Sequence, residues 1–219
     1  MTTAPASHHA RPARRATVAE WLAIPEKERA ELIHGTIVYD AFPGPKHGFT
    51  QGGVFAQLWP YNRRGGGHGG GGSSKPGGWW ISQEVDMVLG GIGCRPDVVG
   101  WRRDNRTRVP EPDERGVVTV VPEFVCEVLS TSTVRYDQGP KRDAYFQAGV
   151  QHYWLVDPTY KTLTVLERAA GGYVILLVAG PGEVVRAAPF DPLEIPVEEL
   201  FLDEEESPPA PEGEPKAGG

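Results

Sequence analysis

Two otherwise apolar runs in this chain are each interrupted by a carboxylate, and no other feature constrains the fold as tightly. Asp97 stands in Arg95-Pro96-Asp97-Val98-Val99, and Glu127 in Phe124-Val125-Cys126-Glu127-Val128-Leu129. Short runs rich in β-branched and aromatic residues read as strands of a sheet covered on both faces. A carboxylate inside such a strand is expensive to bury unless a cation, a donor or a proton offsets its charge. The pair therefore reads either as the ligands of a divalent ion or as two strand-end residues each paired with a nearby arginine. The residues alone leave both readings open. For the first, hard oxygen ligands favour Mg²⁺ or Mn²⁺ over zinc.

The surrounding pattern predicts a mixed α/β domain. Thr17, with Glu20 three residues on, forms a capping-box pattern that starts a short helix at Val18. Pro25 opens a second predicted helix through Glu31, which Gly35 ends. A strand is expected over 36–41, then a weak, glycine-diluted helix over 47–59. Further strands are expected over 79–89, 96–101 and 123–129. A helix follows, ending at Ala148 with Gly149 as its C′ residue, and then a strand over 152–156. Segments 162–167, 173–178 and 183–186 read as an antiparallel meander, with a closing segment over 191–202. Strand, strand, helix, strand in mid-chain implies a mixed central sheet flanked by helices, with antiparallel strands added at one side.

Residues 1–16 are expected to be a disordered arm and 203–219 a disordered acidic tail, leaving a domain over 17–202 with a flexible glycine-rich insertion near 62–78. That insertion lacks the G-x-x-x-x-G-K-[ST] spacing of a phosphate-binding loop. The net charge of −7 belongs mostly to the C-terminal end. Residues 198–219 hold eight acidic residues and Lys216; removing them from totals of 29 acidic and 22 basic leaves 21 of each. The neutral body carries arginines at positions 63, 64, 95, 102, 103, 106 and 108, a set able to meet phosphates, although a solvated loop is the plainer meaning. Two cysteines outside any C-x-x-C pair, and no apolar run of about 18 residues, point to a reducing, cytoplasmic setting and no membrane span.

Lys141 adds to the carboxylate pair. At helical spacing Asp137, Lys141 and Tyr145 share one face of the helix after the Glu127 strand. A lysine there can offset the charge of a phosphate and orient water, whereas an exposed Asp137–Lys141 pair is the plainer alternative. Cys126 with His152 could form a thiol and its base, but a cysteine in an apolar strand is usually core. The tryptophans at 79, 80, 101 and 154 are most simply core, and base stacking is open to an exposed one.

Taken together and in order, Glu31-Leu-Ile-His-Gly35, His47, Arg95-Pro-Asp97-Val-Val, Glu127-Val-Leu-Ser-Thr-Ser-Thr133, Asp137, Lys141, Tyr145 and the segment from Gly149 to Asp157-Pro158 resemble the Uma-type family of endonucleases in the PD-(D/E)XK superfamily. The resemblance spans about residues 17–202. It implies a restriction-endonuclease-like α/β fold and metal-dependent hydrolysis of phosphodiester bonds, with DNA as the expected partner. The sequence leaves the oligomeric state open, a homodimer included. The resemblance further implies Asp97, Glu127 and the backbone carbonyl of Val128 as metal ligands, with Glu31 from the N-terminal helix completing the cluster. Read from their own positions, His47 after Pro45-Lys46 could touch a phosphate, a helix-start histidine being the plainer alternative, and Tyr145 on the Lys141 face would border the cleft as a substrate contact. The superfamily's E-x-K places lysine where this chain has Leu129, and the resemblance moves that role to Lys141. A nucleic-acid-binding module without cleavage, or an oligomeric interaction protein joined through the meander, are the competing readings.

Overall fold

The computed structural model describes residues 14–39, 43–63, 76–104, 106–130 and 134–203. The arm at 1–13, most of the glycine-rich insertion at 64–75 and the acidic tail from 204 lie outside the described residues. The margins of those segments are held. Ala16 N–H donates to Gly35 O, Gly78 N–H donates to Arg63 O, and the Asn62 side chain bonds the backbone of Ile81 in both directions.

The chain opens with α1 (Val18–Leu22), whose N-cap Thr17 and Glu20 form the expected capping box. The second predicted helix does not form. One 3-10 turn at Glu26–Glu28 ends with Arg29 in the left-handed region, and the chain enters β1 (Ala30–Ile33) and β2 (Thr36–Tyr39). These two pair as a hairpin across His34-Gly35, both at positive φ, which is the turn whose twist matches paired strands. The helix-favouring Glu, Arg and Leu residues here are overridden by pairing: β1 also pairs with β5 (Ile92–Cys94), opposing Leu32 to Gly93.

Next come α2 (Pro45–Leu58) and β3 (Trp79–Gln83). The strand expected over 79–89 is really two strands. It breaks at Glu84, which sits at φ 52°, and β4 (Met87–Leu89) joins the small sheet instead. The chain continues through β5, β6 (Val98–Arg102), β7 (Phe124–Val128), the short α3 (Val134–Asp137), α4 (Pro140–Ala148) and β8 (His152–Asp157). The hairpin β9 (Thr162–Ala169) and β10 (Gly172–Ala179) follows, then the small pair β11 (Val184–Val185) and β12 (Ile195–Pro196). Segment 183–186 therefore belongs to the closing pair and not to the meander.

The six-stranded sheet runs β10-β9-β8-β7-β6-β3, parallel only between β7 and β8, and the four-stranded sheet runs β2-β1-β5-β4. Alternation along β7 sends Phe124, Cys126 and Val128 to one core, packed under α2 and the C-terminal segment around Phe190 and Leu200. Val125 and Leu129 point the other way, into a second core with Tyr145 of α4 and Met87 and Ile92 of the small sheet. The central strands are thus buried on both faces, as their apolar runs require. Among the described residues, no helix is long and apolar enough to cross a membrane.

Candidate active site

The antiparallel register of β6 and β7 opposes Val98 to Cys126 and Val99 to Val125. Carried one residue further, it sets Asp97, just before β6, opposite Glu127. Directly opposed residues share a face, and for this pair it is the face of Val99, Val125 and α4. Asp97 is held there by its Oδ2, which accepts the Val128 backbone N–H at 2.7 Å. Its Oδ1 lies 3.4 Å from Nε2 of His47, in the first turn of α2. One turn on, Gln51 donates to the Asp97 carbonyl and to Glu84 Oε1, both at 3.1 Å. Arg29 closes the far side of Glu84 at 3.3 Å.

Lys141 lies at the centre. Its Nζ stands 2.9 Å from Glu31 Oε2, 3.0 Å from Glu127 Oε1 and 3.7 Å from Asp137 Oδ1. All four residues are buried, so the exposed i,i+4 pair offered by the sequence is not what forms. Glu31 does not come from a helix: β1 carries it over α4, and the Arg95 backbone N–H fixes its Oε1 at 2.8 Å. Tyr145, fully buried, donates to Glu127 Oε1 at 2.7 Å. Its hydroxyl is engaged behind the glutamate, which leaves no exposed face for a substrate. The structure thus brings together Glu31, Asp97, Glu127, Val128, Lys141, Tyr145 and His47.

Gln51, Glu84, Arg29 and the burial of Asp137 were missed from sequence. Gln51 could have been found, since it lies four residues after His47 and so shares its helix face. Glu84 could not, because its place depends on the break between β3 and β4.

Three buried carboxylates, Glu31, Glu127 and Asp137, surround one buried ammonium, and a fourth, Asp97, adds its charge to Glu127. Burial pushes the Glu127 carboxyl well above the usual range, Lys141 pulls it down, and Asp97, Asp137 and Glu31 push it up again. Burial pulls Lys141 down, but Glu127, Glu31 and Asp137 outweigh it and hold the ammonium well above its ordinary value. Burial likewise lowers His47, and the hydrogen bond to Asp97 with the charges of Asp97 and Glu84 raises it on balance. The cluster is short of positive charge. That deficit and the all-oxygen donor set fit a hard divalent cation. Among the described residues, no three His, Cys, Asp or Glu side chains converge as a ready-made cage. Magnesium does not need one, since it binds through one or two carboxylates with water and substrate oxygens completing its shell. The Cys126 thiol, in contrast, is buried in the core and pushed well above its ordinary value, so it does not serve as a nucleophile.

A mixed sheet with helices on both faces and paired acids at adjacent strand ends beside a buried lysine defines a restriction-endonuclease-like α/β protein of the nuclease class. The chain belongs to the Uma2 family, described as "Putative restriction endonuclease", whose profile matches residues 17–198. A crystal structure described as a putative nuclease belonging to DUF820, from Anabaena variabilis ATCC 29413, aligns with a TM-score of 0.64 at 21% identity, covering 84% of this chain and 97% of that one. At that identity the likeness establishes a shared fold. No curated protein matches the chain.

Proposed function

We propose that this protein is a metal-dependent endonuclease that hydrolyses phosphodiester bonds in DNA. The observation that carries this reading is the buried acid cluster around Lys141, with Asp97 set opposite Glu127 at the strand ends. Asp97, Glu127 and the carbonyl of Val128 would hold Mg²⁺ or Mn²⁺. Such an ion, when bound, polarises the phosphate and lowers the pKa of a coordinated water.

The chain's own residues do the rest. Lys141 fixes Glu31 and Glu127 through its short contacts and presents a positive charge beside the position of the scissile phosphate, where charge develops during attack. Tyr145 holds Glu127 in one orientation, and the Val128 N–H does the same for Asp97. Glu31, backed by the Arg95 N–H, completes the acid cluster. His47, at the open end of α2 beside Asp97, would donate to a phosphate oxygen. DNA as substrate follows the family's description as restriction endonucleases.

The test is nicking of supercoiled plasmid with Mg²⁺ or Mn²⁺, with EDTA as control. Cleavage that EDTA abolishes, and that is lost in Asp97→Asn and Glu127→Gln, supports the proposal. DNA retention without cleavage under any divalent ion would show a binding module on this fold.

A further inference from the structure

The two edges of the six-stranded sheet are built differently. At β3 the outward backbone is covered: Asn62 bonds both the N–H and the C=O of Ile81, and Arg103 Nε donates to Trp79 O at 2.7 Å. At β10, among the described residues, no backbone partner outside β9 is found. An uncovered strand edge is a template for another strand, and proteins usually blunt it with lysines, prolines or inward charges.

β10 carries none of these, and a single bulge between Ile175 and Leu177 is its one interruption. From Ala169 to Gly182 the sequence has no charged residue, and β10 itself reads Gly-Tyr-Val-Ile-Leu-Leu-Val-Ala. Its side chains stand in solvent: Val174 is 46% exposed, Ile175 63%, Leu176 49% and Val178 57%. A bulge at Leu176 divides them between the two faces. Ile175 and Val178 oppose Leu166 and Thr164 on one face, and Val174 and Leu177 oppose Glu167 and Val165 on the other. A strand apolar on both faces is the pattern of a sheet interior, not of an edge.

We infer that β10 is the surface through which two copies of this chain join, antiparallel and edge to edge, into one continuous twelve-stranded sheet. Three observations select a second copy as the occupant. Under a two-fold axis each residue i of β10 meets a residue j while j meets i, so charges of one sign near the axis would face one another; the strand has none. Eight residues extend about 27 Å, long enough for a continuous antiparallel ladder of main-chain hydrogen bonds between two such edges. The covered β3 edge stops further addition, so the assembly closes at two. The tail at 204–219 is a poor substitute, because it holds five glutamates and four prolines, and proline has no N–H to donate.

This inference is independent of the catalytic reading. Analytical ultracentrifugation of the full chain should give twice the 23.8 kDa chain mass. The double variant Ile175→Lys/Val178→Lys should shift it to one chain mass, with dimer affinity falling at least a hundredfold. Both side chains are exposed, so near-UV circular dichroism of the variant should be unchanged. Single cysteines at each position from 173 to 178 in the otherwise native chain provide a check that does not depend on the lysine variant folding, and the one at the two-fold axis should give a symmetric disulfide-linked dimer. A wild type that stays at one chain mass at high micromolar concentration overturns the inference. So does a dimer that survives both lysines, a dimer with no cross-link from any of the six positions, or an open-ended series of larger species.

Discussion

At the scale of single residues, the proposed site turns on Lys141. Its raised pKa means that its contribution to stability is complete below about 10.5, the unfolded value, and is lost only as pH rises through the higher folded value. Removing the ammonium leaves Glu31, Glu127 and Asp137 buried without a counter-charge, so Lys141→Ala should lower unfolding stability by about 3–5 kcal/mol. Cleavage should fall by about 10²–10³-fold or more, and Lys141→Arg should recover little, since the planar guanidinium cannot occupy the ammonium's place among three acids. Urea denaturation and plasmid nicking on the same samples check both parts, and unchanged stability in Lys141→Ala would contradict the buried position. A second prediction concerns Glu127, whose carboxyl is pushed up by burial and by the neighbouring acids and pulled down by Lys141. A divalent ion bound there favours the ionised carboxylate, so its binding should tighten as pH rises. Calorimetric titration with Mg²⁺ at several pH values should show that dependence, and Glu127→Gln should weaken it. Much of this was legible in sequence: Asp97, Glu127 and Lys141 could all be named from it. Burial was not, because Lys141 is covered by a strand more than a hundred residues away, and helical spacing alone cannot distinguish a covered pair from an exposed one.

At the scale of elements, Glu31 shows where local reading fails. The stretch from Pro25 to Glu31 contains good helix formers, yet it becomes one turn and then a strand. The decisive signal was the pair of positive-φ positions at His34-Gly35, which sets a two-residue hairpin and makes β1 the partner of both β2 and β5. The same pairing explains the split at Glu84, since β4 was needed to complete the small sheet. This sheet is pinned from above by Trp21 of α1, whose Nε1 donates to Ala30 O at 2.6 Å. Its ring lies directly on Gly93, where an added Cβ would meet Trp21 Cε3 at 2.4 Å. Gly93→Ala must therefore push the indole or the strand aside, at a cost of about 1–3 kcal/mol. Because Gly93 opposes Leu32, next to Glu31, the displacement should also reach the acid cluster. Activity should fall in this variant at temperatures where circular dichroism still reports a folded chain, and Trp21→Phe should restore part of it. Activity unchanged in a destabilised Gly93→Ala would show that β1 is held by α4 alone.

At the scale of the whole molecule, acid stability should depend on a residue outside the site. His152 begins β8, opposite Phe124 in the middle of the large sheet. Burial, assisted by Arg102, depresses its pKa to about 4. Its Nδ1 has no hydrogen-bond partner, and Glu167, at 3.9 Å, is half exposed to solvent. In the unfolded chain the imidazole takes up a proton near 6.5. Below that value the unfolded state binds more protons than the fold does, so stability falls with pH until about 4, where the folded imidazole also protonates. A span of about 2.5 units, at about 1.4 kcal/mol each, sets an upper loss near 3.5 kcal/mol. The acid cluster acts in the opposite sense: the raised Glu127 favours the fold at low pH and disfavours it as pH rises above about 4.5. Comparing one variant against wild type separates the two effects, because Glu127 titrates alike in both. Urea denaturation of wild type and His152→Gln at pH 7 and at pH 4.5 should show the wild type losing about 2–3 kcal/mol more than the variant over that interval. Parallel losses would mean that the imidazole is protonated inside the folded sheet, with Glu167 or Asp191 holding the charge, and that the sheet's centre tolerates a cation its burial argues against.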